Sequence, residues 1–171
     1  YYVIQKNDAE SRLLYFKDKN ERDFRITPET TPYRGHYETA SGYTANSGQA
    51  KTYYVFRSYM EQLEYTGGGT ITVAAGTYTL SHSVCIPSNV TVNFEDGVKI
   101  QKVKAVNTNL ATNKTMFELV PPSKEGVKNS VGGYNGSQNV TLQGNGSTIF
   151  DCAYTLNAMA VVMGHAQNIN I

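Results

Sequence analysis

The chain has 171 residues, a formal net charge of +1, 17% charged residues, 13 Tyr and no Trp. That length holds one domain, or one domain with an extension, and so small a charge lacks the basic field that nucleic-acid binders carry. No apolar stretch approaches a membrane span, so neither nucleic acid nor membrane insertion is expected.

Residues 1–45 are expected to form an N-terminal extension. YYVIQ (1–5), SRLLYF (11–16) and DFRIT (23–27) each suit a short strand, separated by Lys6-Asn7-Asp8 and the run Lys17 to Asn20. Thr27-Pro28 through His36 reads as an irregular linker. A separate small module is the alternative. The chain begins at Tyr1 and shows no signal peptide, so processing or excision from something longer is expected.

Residues 46–171 make the main unit. Its helix is placed at about 50–65, because Phe56, Tyr59, Met60 and Leu63 fall at i, i+3, i+4 and i+7 on one stripe. Thr52 or Ser47 can cap its start, and Gly67 to Gly69 stop it. An amphipathic helix ahead of stacked strands is a natural lid for their open apolar end. A membrane-surface role would need a dense Lys/Arg face, which the helix lacks.

From residue 67 to 102, short apolar alternations recur: Ile71/Val73, Tyr78/Leu80, Val84/Ile86, Val90/Val92/Phe94 and Val98/Ile100. Period two gives each strand an apolar side, with Thr72, Thr91, Asn93 and Lys99 on the other. Ala75-Gly76, Pro87-Ser88-Asn89 and Asp96-Gly97 supply the turns. Strands so short and evenly interrupted suit a coil that keeps winding in one direction.

The motif Asn89-Val90-Thr91-Val92 returns as Asn139-Val140-Thr141-Leu142 and as Asn168-Ile169-Asn170-Ile171. The second interval matches one solenoid turn of about 20–30 residues, and the first is one turn with a large excursion. Aligned so, Val84–Ile86, Met116–Val120 and Met159–Met163 stack as one face. The three Asn-led strands form the next, and Val98–Gln101 with Ser147–Phe150 the third. The flanks 101–115 and 121–137 become surface excursions, and Asn side chains at stacked turns can hydrogen-bond into ladders.

The helix followed by GGGTITV, AAGTY, IPSNVTV, FEDGVKI, MFELV and QNVTLQGNGSTIFD resembles the N-terminal part of the pectin lyase-like proteins, over about residues 46–171. The resemblance implies an all-β fold: a right-handed parallel β-helix with an N-terminal amphipathic capping helix. It also implies a secreted or cell-surface protein acting on polysaccharide, as a glycoside hydrolase or polysaccharide lyase. The alternative within the same fold is a non-catalytic carbohydrate-binding, adhesive or tailspike-like protein. A purely structural segment docked on a partner is the third reading. The Asp-Asp-Thr lead-in of many relatives is missing ahead of the helix, as are the polygalacturonase motifs Asn-Thr-Asp, Asp-Asp, Gly-His-Gly and Arg-Ile-Lys. Gly164-His165-Ala166 resembles the third of these motifs superficially. Catalytic groups are therefore expected on later coils. No cofactor is expected in this chain, and Ca²⁺ enters for the complete protein if it is lyase-like.

The resemblance places the cleft along the Val84–Ile86, Met116–Val120 and Met159–Met163 face. Glu118 points outward there if Phe117 and Leu119 point in, and Asp151 precedes the loop back to that face. These two carboxylates are the candidates for acid/base work on a glycosidic bond, against the plainer roles of solvated residue and turn former. Tyr154, His82 and His165 are candidate substrate contacts, Tyr154 by stacking on a sugar ring. Cys85 and Cys152 fall on different faces and are expected as thiols, with a bridge as the alternative. Asn89, Asn113, Asn135, Asn139 and Asn145 match glycosylation sequons, though Asn followed by Thr or Ser also suits coil turns.

Ile171 closes an apolar strand pattern with no second cap after it, so the β-helix is expected to be incomplete at its C-terminal end. Exposing about five aliphatic side chains at roughly 1.5–3 kcal/mol each rivals a whole domain's stability. The expected partners are polysaccharide, and at the Ile171 end either remaining coils of the same protein or a second chain.

Overall fold

A computed structural model of the chain describes residues 20–33, 50–103 and 114–171. The strands expected at 1–5 and 11–16, residues 34–36 of the linker, Ser47 and Asn113 of its sequon lie outside the described residues.

The described residues form strands and one α-helix. The segment DFRI forms β1 (Asp23–Ile26), and α1 spans Lys51–Thr66. Three strands follow, β2 (Gly69–Val73), β3 (Gly76–Leu80) and β4 (Val84–Cys85), and then β5 (Val90–Phe94), β6 (Val98–Lys102) and β7 (Thr115–Glu118). After a 3₁₀ turn at Pro122–Lys124 come β8 (Gln138–Gly144), β9 (Thr148–Asp151), β10 (Met159–Val162) and β11 (Gln167–Asn170). These make three sheets: β1-β2-β5-β8-β11 (the first sheet), β3-β6-β9 (the second) and β4-β7-β10 (the third). Every pairing is parallel. From β2 onward the chain visits first, second and third sheet in that order, then repeats the circuit. The fold is thus mainly β, with parallel sheets and one helix.

Sequence alternation explains the strands. β5 and β6 bury every second residue, so Val90, Val92, Phe94, Val98 and Ile100 lie inside. Register then stacks like on like: Ile71, Val92 and Leu142 are consecutive partners in the first sheet, and Val84, Phe117 and Val161 in the third. Phe117 is the centre of an edge-to-face aromatic cluster, 6.3 Å from Phe56 of α1, 6.1 Å from Phe94 and 5.9 Å from Phe150. Each such pair contributes about 0.5–1.5 kcal/mol beyond its buried area. The cluster runs from the helix through successive circuits and ties them into one core.

α1 ends at Gly67, whose left-handed backbone (φ 81°) lets its N–H reach the Glu64 carbonyl while Gly68 N–H reaches that of Leu63. Its start differs from expectation. Ala50 occupies the N-cap with no side-chain bond, and Thr52 lies inside the first turn. Phe56, Met60 and Leu63 are fully buried as the stripe requires, but so are Tyr53, Tyr54, Val55 and Ser58. The helix is covered on more than its core face: Tyr59 packs edge-on to Phe24 of β1 at 5.0 Å, and the segment after β7 lies on another side.

That second cover corrects the expectation for 121–137. Pro122 is buried, and Ser123 donates from its backbone N–H (2.9 Å) and its hydroxyl to the Glu64 carboxylate. Glu125 pairs with Arg57 and accepts from Tyr53 Oη at 2.9 Å. The front of this stretch is thus a strap bound to α1 rather than a surface excursion, and residues 126–129 and 132–135 are the exposed parts.

Asn89 directly precedes β5, and Asn139 and Asn168 are the second residues of β8 and β11, at equivalent points of the repeat. All three are left-handed (φ 60°, 55° and 53°), a conformation Asn tolerates where most residues do not. Their amides form a column: Asn168 Nδ2 donates to Asn139 Oδ1 at 2.6 Å, and Asn139 Nδ2 to Asn89 Oδ1 at 2.8 Å. Those bonds span 29 and 50 residues, the two intervals of the sequence repeat.

Candidate functional site

Alternation assigns the charged residues to sheets, and so decides which can meet. Glu118 ends β7 in the third sheet, where it partners Cys85 and Val162. Phe117 and Leu119 are fully buried, so the carboxylate lies on the side away from the core. It is not open to solvent on all sides: Ser83 Oγ donates to Glu118 Oε1 at 3.0 Å and Thr115 Oγ1 to the same oxygen at 2.6 Å. The two hydroxyls also touch each other, so either can give its one proton to its neighbour instead of to Glu118.

Cys85, on the same side of β4, is only 4% exposed, and burial together with nearby Glu125 and Glu118 pushes its thiol well up. The outer side of the third sheet is therefore closed at its first strand by α1 and the strap. Arg57 joins these covers. Its Nε donates to Glu61 Oε1 at 2.7 Å, its Nη1 to Tyr53 Oη at 2.7 Å and to Glu125. Burial raises the Glu125 carboxyl, with Arg57 pulling the other way, and burial also raises the Tyr53 phenol. A desolvated cation between two carboxylates is a positioning device. Its removal is costly even where its net contribution is small.

Lys102 was not expected inside. It continues the parity of Val98 and Ile100, is 1% exposed, and donates from Nζ to the carbonyls of Ser81 (3.0 Å) and Thr115 (2.9 Å). Burial lowers its ammonium to about 8. The signal was present in the alternation, but Lys reads as a surface residue unless the period is followed to the end of the strand. His82 is buried beside it, at 4% exposure, with Nδ1 2.6 Å from Ser81 Oγ and its ring 4.8 Å from Tyr53. Its place is under α1, not on an open face.

Asp151 lies in a different sheet. It ends β9 in the second sheet, opposite Gln101. Lys99 Nζ sits 2.8 Å from its carboxylate, Gln101 Nε2 donates at 3.2 Å and Ala153 N–H at 2.8 Å. The Lys99 bond holds the Asp151 carboxyl below the usual carboxylate range, helped by the Ala153 N–H. The two candidate carboxylates thus stand on separate sheets, each engaged with its own partners.

The turn after Asp151 carries Ala153 and Tyr154, both left-handed (φ 49° and 53°), closed by Thr155 N–H to the Cys152 carbonyl at 2.9 Å. Side chains larger than Gly are disfavoured there by roughly 1–2 kcal/mol each. The geometry leaves Tyr154 fully exposed and Leu156 79% exposed. His165 is also exposed in a left-handed turn (φ 61°), with Nδ1 2.9 Å from the Gly133 carbonyl. Cys85 and Cys152 are free thiols, in the third sheet and after the second respectively.

The residues described do not fit a hard cation. Ca²⁺ takes six to eight converging oxygens at about 2.3–2.6 Å, and among the described residues no group of three His, Cys, Asp or Glu is placed to hold a metal. Among them, too, no helix is long and apolar enough to cross a membrane. No protein-family model, curated protein or solved structure matches the chain.

Proposed function

We propose that the chain is the opening part of a right-handed parallel β-helix of the pectin lyase-like kind, within a secreted or cell-surface protein that acts on polysaccharide. Its role is to cap and start the helix, with the catalytic groups, and Ca²⁺ if the complete protein is a lyase, on later circuits. The observation that carries this is the unvarying passage through three parallel sheets beneath α1. A gradient of burial supports further circuits. Ile100, Phe117 and Val140 are fully buried, while their next-strand partners Phe150, Val161 and Ile169 are only partly so. Glu118 and Asp151 are structural in this reading, since hydroxyls and Lys99 already occupy them. The exposed second sheet, with Tyr154 at its rim, is the better glycan face, because α1 and the strap close the first strand of the third. That exposed Tyr also favours the non-catalytic glycan-binding alternative.

The test uses the intact gene product with polygalacturonate, reading reducing ends, unsaturated products and retention in affinity gels. Glu118→Gln and Asp151→Asn are expected to keep cleavage within about twofold of the parent, and Tyr154→Ala to weaken retention. A loss of several orders of magnitude in either carboxylate variant would put the chemistry in this segment. Neither cleavage nor retention of any polysaccharide would overturn the glycan assignment.

A further inference from the structure

Inner parity brings two nucleophiles together where the second sheet turns toward the third. β6 and β9 pair in register from Val98↔Thr148 to Gln101↔Asp151, so the next residues to stand side by side are Lys102 and Cys152. Both continue the parity of Ile100 and Phe150, which are themselves partners. Lys102 is buried, and Cys152 is half-buried and packs against the core. Their nearness is felt by the Lys102 ammonium: burial lowers it, and the charge of Cys152 pulls it back up, followed by that of Glu118. The carbonyls of Ser81 and Thr115 fix Nζ in place. A neutral amine has two N–H donors, which those carbonyls can hold, and one lone pair. An amine that titrates near 8 is on the order of one-tenth neutral at pH 7, against less than about a thousandth for an ordinary lysine.

We infer that Lys102 and Cys152 form a redox pair: a peroxide oxidises the Cys152 thiol to a sulfenic acid, and the Lys102 amine captures it as a covalent S–N bond. In the first step sulfur takes one oxygen from the peroxide and the other leaves as water, so sulfur loses two electrons and the peroxide gains them. In the second the nitrogen lone pair attacks sulfur and the S–O bond breaks. The hydroxyl departs with one proton of the amine as water. A thiol reductant reverses the bond: one thiol attacks sulfur and releases the amine, and a second frees Cys152. The link replaces a buried cation with a neutral group and ties two successive circuits together. Cys85 is placed differently. It lies in the third sheet opposite Glu118, and the cation that acts on it is Arg57, whose guanidinium stays protonated and is no nucleophile. The pair needs only the register of two neighbouring circuits and stands apart from the glycan reading.

The test treats the reduced full chain with a small excess of hydrogen peroxide, blocks the remaining thiols, and reads the intact mass and the tryptic peptides. The parent is expected to lose about 2 Da at this pair, one hydrogen from sulfur and one from nitrogen. Cleavage after Lys102 should disappear, with its peptide joined to the one that holds Cys152, and dithiothreitol should restore both. Cys85→Ser, which keeps Cys152 as its single thiol, is expected to form the same link. A gain of about 16 or 32 Da on Cys152, with trypsin still cutting after Lys102, overturns the capture. A disulfide from Cys152 to Cys85 or to a second chain overturns it as well. The same two peptides joined with a gain of about 14 Da overturns the direct S–N bond in favour of an oxygen-bridged one. The parent itself gives the decisive readout, so the result does not depend on any variant folding.

Discussion

Asn139 is the middle rung of the amide column, and replacing it separates two contributions. Asn139→Ala removes the bond to Asn89 at 2.8 Å and the one from Asn168 at 2.6 Å. Both are exposed, so each is taken at the low end of the usual range, roughly 0.5 kcal/mol. Ala must also hold φ 55°, which costs roughly 1–2 kcal/mol for a residue with a Cβ. The sum is about 2–3 kcal/mol. Asn139→Gly loses the same bonds without the steric cost, and its extra chain entropy adds only about 0.5–1 kcal/mol. The Gly variant should therefore lie about 1 kcal/mol above the Ala variant. Urea unfolding of the chain measures both, and unchanged m-values would show that stability alone moved. Two variants within about 0.5 kcal/mol of the parent would refute the column as a source of stability. A Gly variant as unstable as the Ala variant would refute the backbone part.

Three further outcomes follow from the buried and paired charges. Arg57→Met leaves Glu61 and Glu125 without their shared cation under α1. It should cost about 3–5 kcal/mol in urea unfolding, with part recovered on adding Glu125→Leu; a loss below about 1 kcal/mol contradicts the role given to the strap. Lys102 titrates near 8 in the fold against about 10.4 unfolded, so the unfolded chain binds more protons between those values. The buried Cys85 thiol, pushed up in the fold, pulls the other way in the same window, so it is the difference in stability between the parent and Lys102→Met that should rise with pH there; parallel curves would reject the buried assignment. Asp151 is depressed in the fold by Lys99, so its contribution is present above an unfolded value of about 3.9 and lost as pH falls through its folded value. Thermal midpoints of Asp151→Asn should therefore show a shallower acid limb than the parent, and identical limbs would show that the pair does nothing.

Much of the architecture was legible because two periodicities agree. Alternation sets which side chains are inside each strand, and the Asn-aliphatic repeat sets which strands are neighbours. Its intervals of 50 and 29 are the spans of the observed rungs. The free thiols on different faces followed from the same alignment. What escaped was polar burial. Ser123 and Glu125 sit in a stretch whose Lys, Gly and Asn content resembles a solvated loop, and only the third dimension brings Glu64 and Arg57 to meet them. Tyr53, Arg57 and Glu61 lie off the Phe56, Tyr59, Met60, Leu63 stripe, so the sequence carries no signal for their burial. The candidate site was legible only as separate residues: parity placed Glu118 outward, but could not show Ser83 and Thr115 already bonded to it. His82 precedes β4 in a polar Ser-His-Ser run, and nothing local reveals that α1 lies over it.

The parallel circuit can be tested by through-hydrogen-bond couplings in a long-range HNCO spectrum. Glu95 N–H should couple to the Val73 carbonyl and Asn145 N–H to that of Phe94, across bonds of 2.9 and 2.8 Å. The two residues of each pair should show no return coupling, since parallel partners do not exchange both bonds. Reciprocal couplings, or couplings between strands adjacent in sequence such as β2 and β3, would mean hairpins and contradict the fold on which every functional assignment here stands.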